Sequence, residues 1–300
     1  MIVDHDVIHS EVKDLWQKGG LPKGSPCGWS SVDHLYTVGL GQWTLITGTP
    51  GSGKSEWLDA VMVNLAKSSE MWKFVIFSPE NWPLALHHSK IIEKFIGKPF
   101  SPGPTPRLDE RELDEAEAWM RGKFYFAKPP KPNIVAILNE ANKIVDTVPY
   151  PSHKTGIVID PWNQLEHHRP PGFSETEYVS QTLSEVINWV RERGCHLWLV
   201  AHPSKLQRNK EGKLPVPTPH DVSGSAHFWN KADNCITVWR DQADYQNQDV
   251  HIHVQKIRFK HIGRIGLGIL KYDRVTGRYN EPPKAQVVDI KTKSAGVQDF

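Results

Sequence analysis

Cysteine is scarce and scattered. Cys27, Cys195 and Cys235 lie far apart and match no zinc-binding spacing. Cys195 and Cys235 sit in or beside apolar runs and read as plain core thiols, which suits a reducing compartment. Net charge is nearly absent as well. Thirty-six Lys and Arg against 34 Asp and Glu leave +2, so affinity for a polyanion would have to come from a local patch. No segment approaches the roughly eighteen apolar residues of a membrane span, and the start does not read as a signal peptide. There is no internal repeat and no long low-complexity tract. These absences argue against a disulfide-stapled scaffold, a zinc module and a membrane-spanning chain. The expectation is a soluble intracellular protein. A 300-residue chain that is 38% hydrophobic can bury one large core, so one domain with appendages is expected. Tryptophan is abundant at twelve, and most of these residues are expected in the core or at an interface.

What is present is organised around Gly48-Thr49-Pro50-Gly51-Ser52-Gly53-Lys54-Ser55. This is the phosphate-loop pattern of Gly, four residues, Gly, Lys, Ser/Thr. Trp43–Thr47 before it reads as a short buried strand. After it, Trp57, Leu58, Val61, Met62, Leu65 and Ala66 recur at helical spacing. The loop therefore lies between a strand end and a helix start. There its N–H groups and the helix dipole can face a phosphate. Lys54 can reach the outer phosphates, and the Ser55 hydroxyl can hold a magnesium ion. Binding of a nucleoside triphosphate with magnesium is expected.

Residues 2–18 carry Val3, Val7, Ile8, Val12, Leu15 and Trp16 among charges, the pattern of an amphipathic helix. A breaker-rich linker, residues 19–26, follows. Such a helix can fold back on its own domain or dock on a neighbouring subunit. Further strands are expected at 73–77, 124–126, 156–160, 197–201 and 235–239, alternating with helices at about 83–96, 109–121, 134–145 and 176–193. That alternation predicts an α/β fold with a mainly parallel central sheet. Late alternating strands, 251–259 and a hairpin over 267–279, predict an antiparallel extension on one edge. The expected division is a linker helix and hinge over 1–24, an NTPase domain over 25–282 and a tail over 283–300.

In open α/β sheets function collects at the carboxyl ends of strands. Glu80 lies at one such end and could polarise an attacking water, although a surface Glu or a helix cap would look the same. Asp160 closes an apolar run, as the second magnesium-binding carboxylate of such ATPases does. His202 follows another strand and could sense the terminal phosphate, or simply be satisfied by loop carbonyls. The loop from Pro203 to Val222 holds Lys205, Arg208, Lys210 and Lys213, which suits a phosphodiester backbone and equally a solvated charged face. Lys256 and Arg258 stand at i and i+2, on one side of a strand. At a subunit boundary Arg258 could act as an arginine finger; otherwise the pair is two exposed cations.

In order along the chain come the phosphate loop, Ser-Pro-Glu80, Val-Ile-Asp160, Ala-His202-Pro, Asp221-Val-Ser-Gly-Ser and Lys256-Ile-Arg258-Phe. Together they resemble the RecA-like P-loop motor domain of DnaB-type ring helicases, and more closely that of Twinkle and the phage primase-helicases. The likeness covers roughly residues 20 to 282. Ala232-Asp233-Asn234 and Tyr272-Asp-Arg-Val-Thr-Gly277 are also similar.

The resemblance implies a ring, usually of six subunits, on single-stranded DNA, moving 5′ to 3′ on ATP or another NTP with Mg2+. It implies that Lys54 and Ser55 bind phosphate and magnesium, Glu80 is the general base, Asp160 the second magnesium carboxylate and His202 the phosphate sensor. It puts Lys205, Arg208, Lys210 and Lys213 in the DNA-gripping loop and makes Arg258, backed by Lys256, the finger on the next subunit. Arg240 and Tyr272 match positions flanking the nucleotide base, and the helix at 2–18 looks like the linker helix that closes the ring. Where several relatives have Gln, this chain has Asn230, which leaves a possible sensor shorter. A primase domain or partner is implied, and the chain is a helicase-only protein or part of a longer primase-helicase. The expected location is the cytoplasm of a bacterial or phage-infected cell, with the mitochondrial matrix as the alternative. A RecA-type recombinase filament and a nucleotide-switched DNA-binding or loader protein are the rival expectations.

Overall fold

The structure, a computed structural model, describes residues 2–147, 153–204, 206, 214–222, 225–242, 244 and 246–283. The loop cations Lys205, Arg208, Lys210 and Lys213 and the tail from 284 onward lie outside the described residues.

The first helix, α1, spans His5–Gln17 behind an Asp4 cap. None of its residues is buried, and Val7, Ile8, Val12 and Trp16 are exposed. Leu15 is partly covered, and no side chain of α1 enters the core. A short antiparallel pair, β1 (Ser25–Pro26) and β2 (Thr37–Val38), brackets helix α2 (Ser30–Asp33) and leads into β3 (Gln42–Thr47). Helix α3 (Lys54–Lys67), strand β4 (Trp72–Phe77), helices α4 (Leu84–Ile96) and α5 (Glu110–Met120) and strand β5 (Phe124–Phe126) follow. Next come α6 (Ile134–Val145), β6 (Lys154–Ile159), α7 (Glu175–Arg193), β7 (His196–Val200), α8 (Ser225–Lys231) and β8 (Asn234–Trp239). Strands β9 (Asp249–Ile257), β10 (Gly266–Tyr272) and β11 (Tyr279–Asn280) complete the described chain.

Local chemistry sets several helix starts. Asp109 with Glu112, and Ser174 with Glu177, form reciprocal capping boxes that satisfy the first free N–H groups of α5 and α7. Gly97 and Gly194, both at positive φ, end α4 and α7.

One nine-stranded sheet runs β11-β10-β9-β8-β3-β7-β6-β4-β5. The six strands from β8 to β5 are parallel, and β9, β10 and β11 extend one edge antiparallel, as expected. The central strands β3 and β7 are buried on both faces, because successive side chains alternate between two helix layers. On one side Ile46, Phe74, Val158, Trp198 and Val200 meet α3, α4 and α5. On the other, Leu45, Val75, Ile157, Leu197 and Leu199 meet α6, α7 and α8. Tryptophan follows the expectation at positions 29, 43, 57, 72, 162 and 198, which are buried, whereas Trp16 and Trp82 are exposed. All three cysteines are buried and free. Among the described residues no helix is long and apolar enough to cross a membrane.

One expected element ends earlier than its pattern. β9 stops at Ile257, so Lys256 lies in the strand and Arg258 just beyond it. A register shift at Cys235/Ile236 precedes this end, and Arg258 keeps one ladder bond, from its N–H to the Asp233 carbonyl at 2.9 Å.

Candidate active site

Strand order builds the site. β3 lies between β7 and β8, and its chain crosses over to β4 beyond β7 and β6, which makes a switch point at the carboxyl end of β3. The ends of β3, β7, β6 and β4 therefore lie side by side, and they carry the phosphate loop, His202, Asp160 and Glu80 respectively.

The loop conformation requires glycine. Gly48 has φ 152°, and a Cβ there would lie 2.2 Å from the Val238 carbonyl oxygen and 2.6 Å from Ser52 Oγ. Gly53 caps α3 in the left-handed region at φ 94°. The Thr47 hydroxyl donates to the Ala201 carbonyl at 2.8 Å and so ties the loop's strand to β7. Lys54 is buried and donates to the carbonyls of Gly48 at 2.9 Å and Thr49 at 3.1 Å. Burial lowers its pKa, opposed by the charges of Asp160 and Glu80. The Ser52 hydroxyl is buried without a partner.

Asp160 is buried beside Ser55. Burial pushes its pKa up to about 6; a hydrogen bond from Ser55 opposes this, Asp59 and Glu80 add to it, and Lys54 counters it. Glu80 lies on the turn after β4 and is exposed. His202 Nε2 stands 3.4 Å from a Glu80 carboxylate oxygen. The His202 N–H donates to Asn163 Oδ1 at 2.9 Å, which fixes where the chain leaves β7. Burial and the Lys54 charge lower the His202 pKa against the pull of Glu80.

These groups open onto one cleft of about 700 Å³, lined by residues 50–56 with Glu80, Asn81, Lys90, His202, Arg240, Val250, Tyr272 and Tyr279. Of the residues singled out in sequence, Lys54, Ser55, Glu80, His202, Arg240 and Tyr272 meet here, with Asp160 buried next to Ser55. Lys256 and Arg258 do not. Ile257 is level with Asn234, and Asn234 with Thr44, at the start of β3. They stand at the opposite end of the sheet from the loop that follows Thr47, roughly 15 Å away at strand rise. There Lys256 Nζ donates to the Trp229 carbonyl and stacks 5.3 Å over the Trp229 ring, and Arg258 pairs with Asp233. Asn230 enters through its backbone, whose carbonyl accepts from Arg258 at 3.1 Å.

Sequence reasoning missed several groups in and beside the cleft. Tyr279 reaches the Gly53 carbonyl at 3.3 Å and packs on Tyr272 with ring centroids 5.1 Å apart. Gln242 donates to the Pro50 carbonyl at 2.6 Å. Neither contact with the phosphate loop has a local signal, since Tyr279 and Gly53, and Gln242 and Pro50, are about two hundred positions apart. Glu56, next to Ser55, could have been picked out by its place in the first helical turn.

Solved structures share this fold. The chain superposes on a solved helicase ATPase domain with a TM-score of 0.76 at 16% identity, covering 94% of this chain and all of the other. A structure of a DnaB-like replicative helicase and its interactions with primase gives 0.74 at 15% identity, over 94% of this chain and 68% of the other. The RadB recombinase gives 0.55 at 12% identity, over 86% and 99%. The fold is RecA-like. In sequence, the chain is 41% identical over 269 residues to the Twinkle homolog protein, chloroplastic/mitochondrial, of Arabidopsis thaliana. That stretch is 87% of this chain, and the chain spans little more than a third (37%) of the relative's length. No family model matches the chain. The resemblance to Twinkle and to DnaB-like helicase ATPase domains thus holds in sequence for the first and in fold for the second.

Nucleotide and magnesium fit these residues. The cradle excludes any side chain at Gly48, a buried ammonium rests on loop carbonyls and a buried hydroxyl lacks a partner. Among the described residues there is no cluster of three His, Cys, Asp or Glu able to hold a metal alone. Ser55 with Asp160 is a donor set of the kind that holds magnesium together with water and substrate phosphates.

Proposed function

We propose that this chain is the NTP-hydrolysing motor of a ring-shaped DNA helicase that moves 5′ to 3′ on single-stranded DNA in replication. The observation that carries the reading is the split of the machinery between two ends of one sheet. Lys54, Ser55, Asp160, Glu80 and His202 gather at the cleft, while Arg258 stands at the far end. An arginine so placed cannot serve its own subunit's nucleotide, but can serve a neighbour's in a ring.

Ser55 and Asp160 would hold magnesium, which when bound neutralises phosphate charge. Lys54 turns from the loop carbonyls to the outer phosphates. Glu80 orients a water and takes up its proton as oxygen attacks the terminal phosphorus and the bond to the leaving diphosphate oxygen breaks. Arg240 and Tyr272 flank the base. Arg258 of the neighbouring subunit, backed by Lys256, stabilises the charge that develops. His202, in contact with Glu80, begins the segment whose base is closed by the Pro203–Val222 bridge and by Ser204 N–H to the Asp221 carbonyl. Lys205, Arg208, Lys210 and Lys213 lie in that segment and are proposed to grip DNA. ATP or another NTP serves, and a primase domain or partner acts with the ring. The aqueous compartment holding DNA is bacterial or phage-infected cytoplasm, or the mitochondrial matrix.

The test is NTP hydrolysis with and without single-stranded DNA over a range of protein concentration. Stimulation by DNA, with specific activity rising with concentration, is expected for sites shared between subunits. Hydrolysis indifferent to both would replace the ring motor with a self-contained NTPase.

A further inference from the structure

Glu80 is held by little of its own. Its side chain is exposed and approaches His202 at 3.4 Å, long for a hydrogen bond. A base that must place a water within hydrogen-bond reach of phosphorus needs a firmer mount. The mount is visible one residue away. Asn81 is buried; its N–H donates to the Ser78 carbonyl at 3.2 Å and its amide to the Ser78 hydroxyl at 2.9 Å, which closes the turn carrying Glu80. The remaining amide oxygen of Asn81 accepts from Lys90 Nζ at 3.0 Å. The same ammonium lies 3.0 Å from a carboxylate oxygen of Glu56. The other Glu56 oxygen is held by Lys94, whose side chain is 1% exposed.

The covalent positions matter. Glu56 follows Ser55 in the first turn of α3, and Asn81 follows Glu80. Lys90, from the middle of α4, therefore spans two residues that are each bonded to a functional one. We infer that Lys90 is a positioning residue for hydrolysis: it couples the phosphate-loop helix to the Glu80 turn through Glu56 and Asn81. The ammonium suits the task. It offers three donors and finds one amide and one carboxylate acceptor, so removing it unties the Glu80 turn from the phosphate-loop helix and leaves the Glu56 charge to Lys94 alone. Lys94 keeps Glu56 anchored, so the loss falls on the Glu80 side.

The inference rests on nucleotide hydrolysis at this cleft. The test compares steady-state hydrolysis with the affinity of a fluorescent ATP analogue in the whole chain, wild type and variants. Lys90→Met is expected to lower kcat on the order of a hundredfold, the cost of a catalytic group displaced by about an ångström. KM and analogue affinity should stay within about threefold, less than the effect of a lost direct phosphate contact. Asn81→Ala should reproduce the kcat loss, and the double variant should lose little more, because both break one bridge. Lys90→Arg, which keeps donors to both partners, should recover most of the activity. Analogue binding at the wild-type level shows that the variants are folded. Unchanged kcat in Lys90→Met, or additive losses in the double variant, overturns the bridge. So does loss of affinity with kcat intact, which would make Lys90 a ligand of the nucleotide. A wild-type chain that hydrolyses no nucleotide overturns the proposed function itself, and this inference with it.

Discussion

The guanidinium of Arg258 lies 3.1 Å from a carboxylate oxygen of Asp233, whose side chain is 1% exposed. The other Asp233 oxygen accepts the Trp43 N–H at 3.1 Å, at the start of the strand that ends in the phosphate loop. Burial raises the Asp233 pKa, and the Trp43 bond and the Arg258 charge oppose the rise. Arg258 is thus held where β3 and β8 begin, with about a third of its side chain left exposed.

If Arg258 acts on a neighbour, Arg258→Ala should bind nucleotide normally and lose hydrolysis on the order of a thousandfold. Mixing it with Lys54→Ala subunits, each inactive alone, should restore part of the activity. Some boundaries then join an intact loop to an intact arginine. Mixed assemblies with no activity above either parent would remove Arg258 from the shared site.

Gly48 and Gly51 should differ when each is changed to alanine. A Cβ at Gly51 would meet Gln242 Nε2 at 3.4 Å, ordinary contact, but the residue keeps φ +72°. Its cost is that of a left-handed residue, about 1–2 kcal/mol. At Gly48 the Cβ would overlap backbone at 2.2 Å. Gly48→Ala is expected to abolish nucleotide binding as well as lower the urea midpoint. Equal midpoints and retained binding in both variants would contradict this loop geometry.

The exposed apolar stripe of α1 should matter for assembly and not for the fold. Replacing Ile8 and Trp16 together by Ser removes no buried contact, so the unfolding midpoint should stay within the range of surface changes, about 0.5 kcal/mol. The concentration at which subunits assemble, read by sedimentation velocity, should rise on the order of tenfold or more. Assembly unaltered by the double change would mean that α1 docks elsewhere.

Replacing Lys205, Arg208, Lys210 and Lys213 together by Ala should weaken single-strand binding. The slope of log affinity against log salt should flatten by about 0.7 for each lost phosphate contact. An unchanged slope would move the DNA grip to another segment, such as Glu166–Phe173.

His196 should make stability depend on pH. It is buried in β7; Nδ1–H donates to the Gly39 carbonyl at 2.7 Å, and Nε2 faces the hydroxyls of Thr44 at 3.0 Å and Tyr36 at 3.2 Å. Burial lowers its pKa to about 4, against a partial rise from the Gly39 bond. Below the unfolded value of about 6.5 the unfolded chain takes a proton that the native ring refuses. Stability from this residue is therefore full above about pH 6.5 and falls as pH drops toward 4, by about 3 kcal/mol in all. Urea unfolding between pH 7.5 and 5 should show a smaller loss in His196→Gln than in wild type. Parallel pH profiles in the two proteins would rule this out.

Wherever the signal is covalently local, residue order alone determined the outcome. The phosphate loop reads directly because glycines, lysine and serine act within eight consecutive positions. The strand ends at Glu80, Asp160 and His202 read because β-branched and aromatic runs stop at a polar residue. The parallel core with its antiparallel edge follows from the change from continuous apolar runs to alternation. Strand order was left to the tertiary structure. It places β7, with β6 next to it, beside β3, so that Asp160 and His202 face one loop, and it turns β9 so that Arg258 stands at the far end. The Glu56–Lys90–Asn81 bridge, the Asn163 hold on His202 and the Tyr279 contact with Gly53 likewise depend on which elements become neighbours. A hydrogen bond acts over about 3 Å whatever the chain separation. No local spacing encodes that proximity, and only the packing of helices on a particular order of strands decides it.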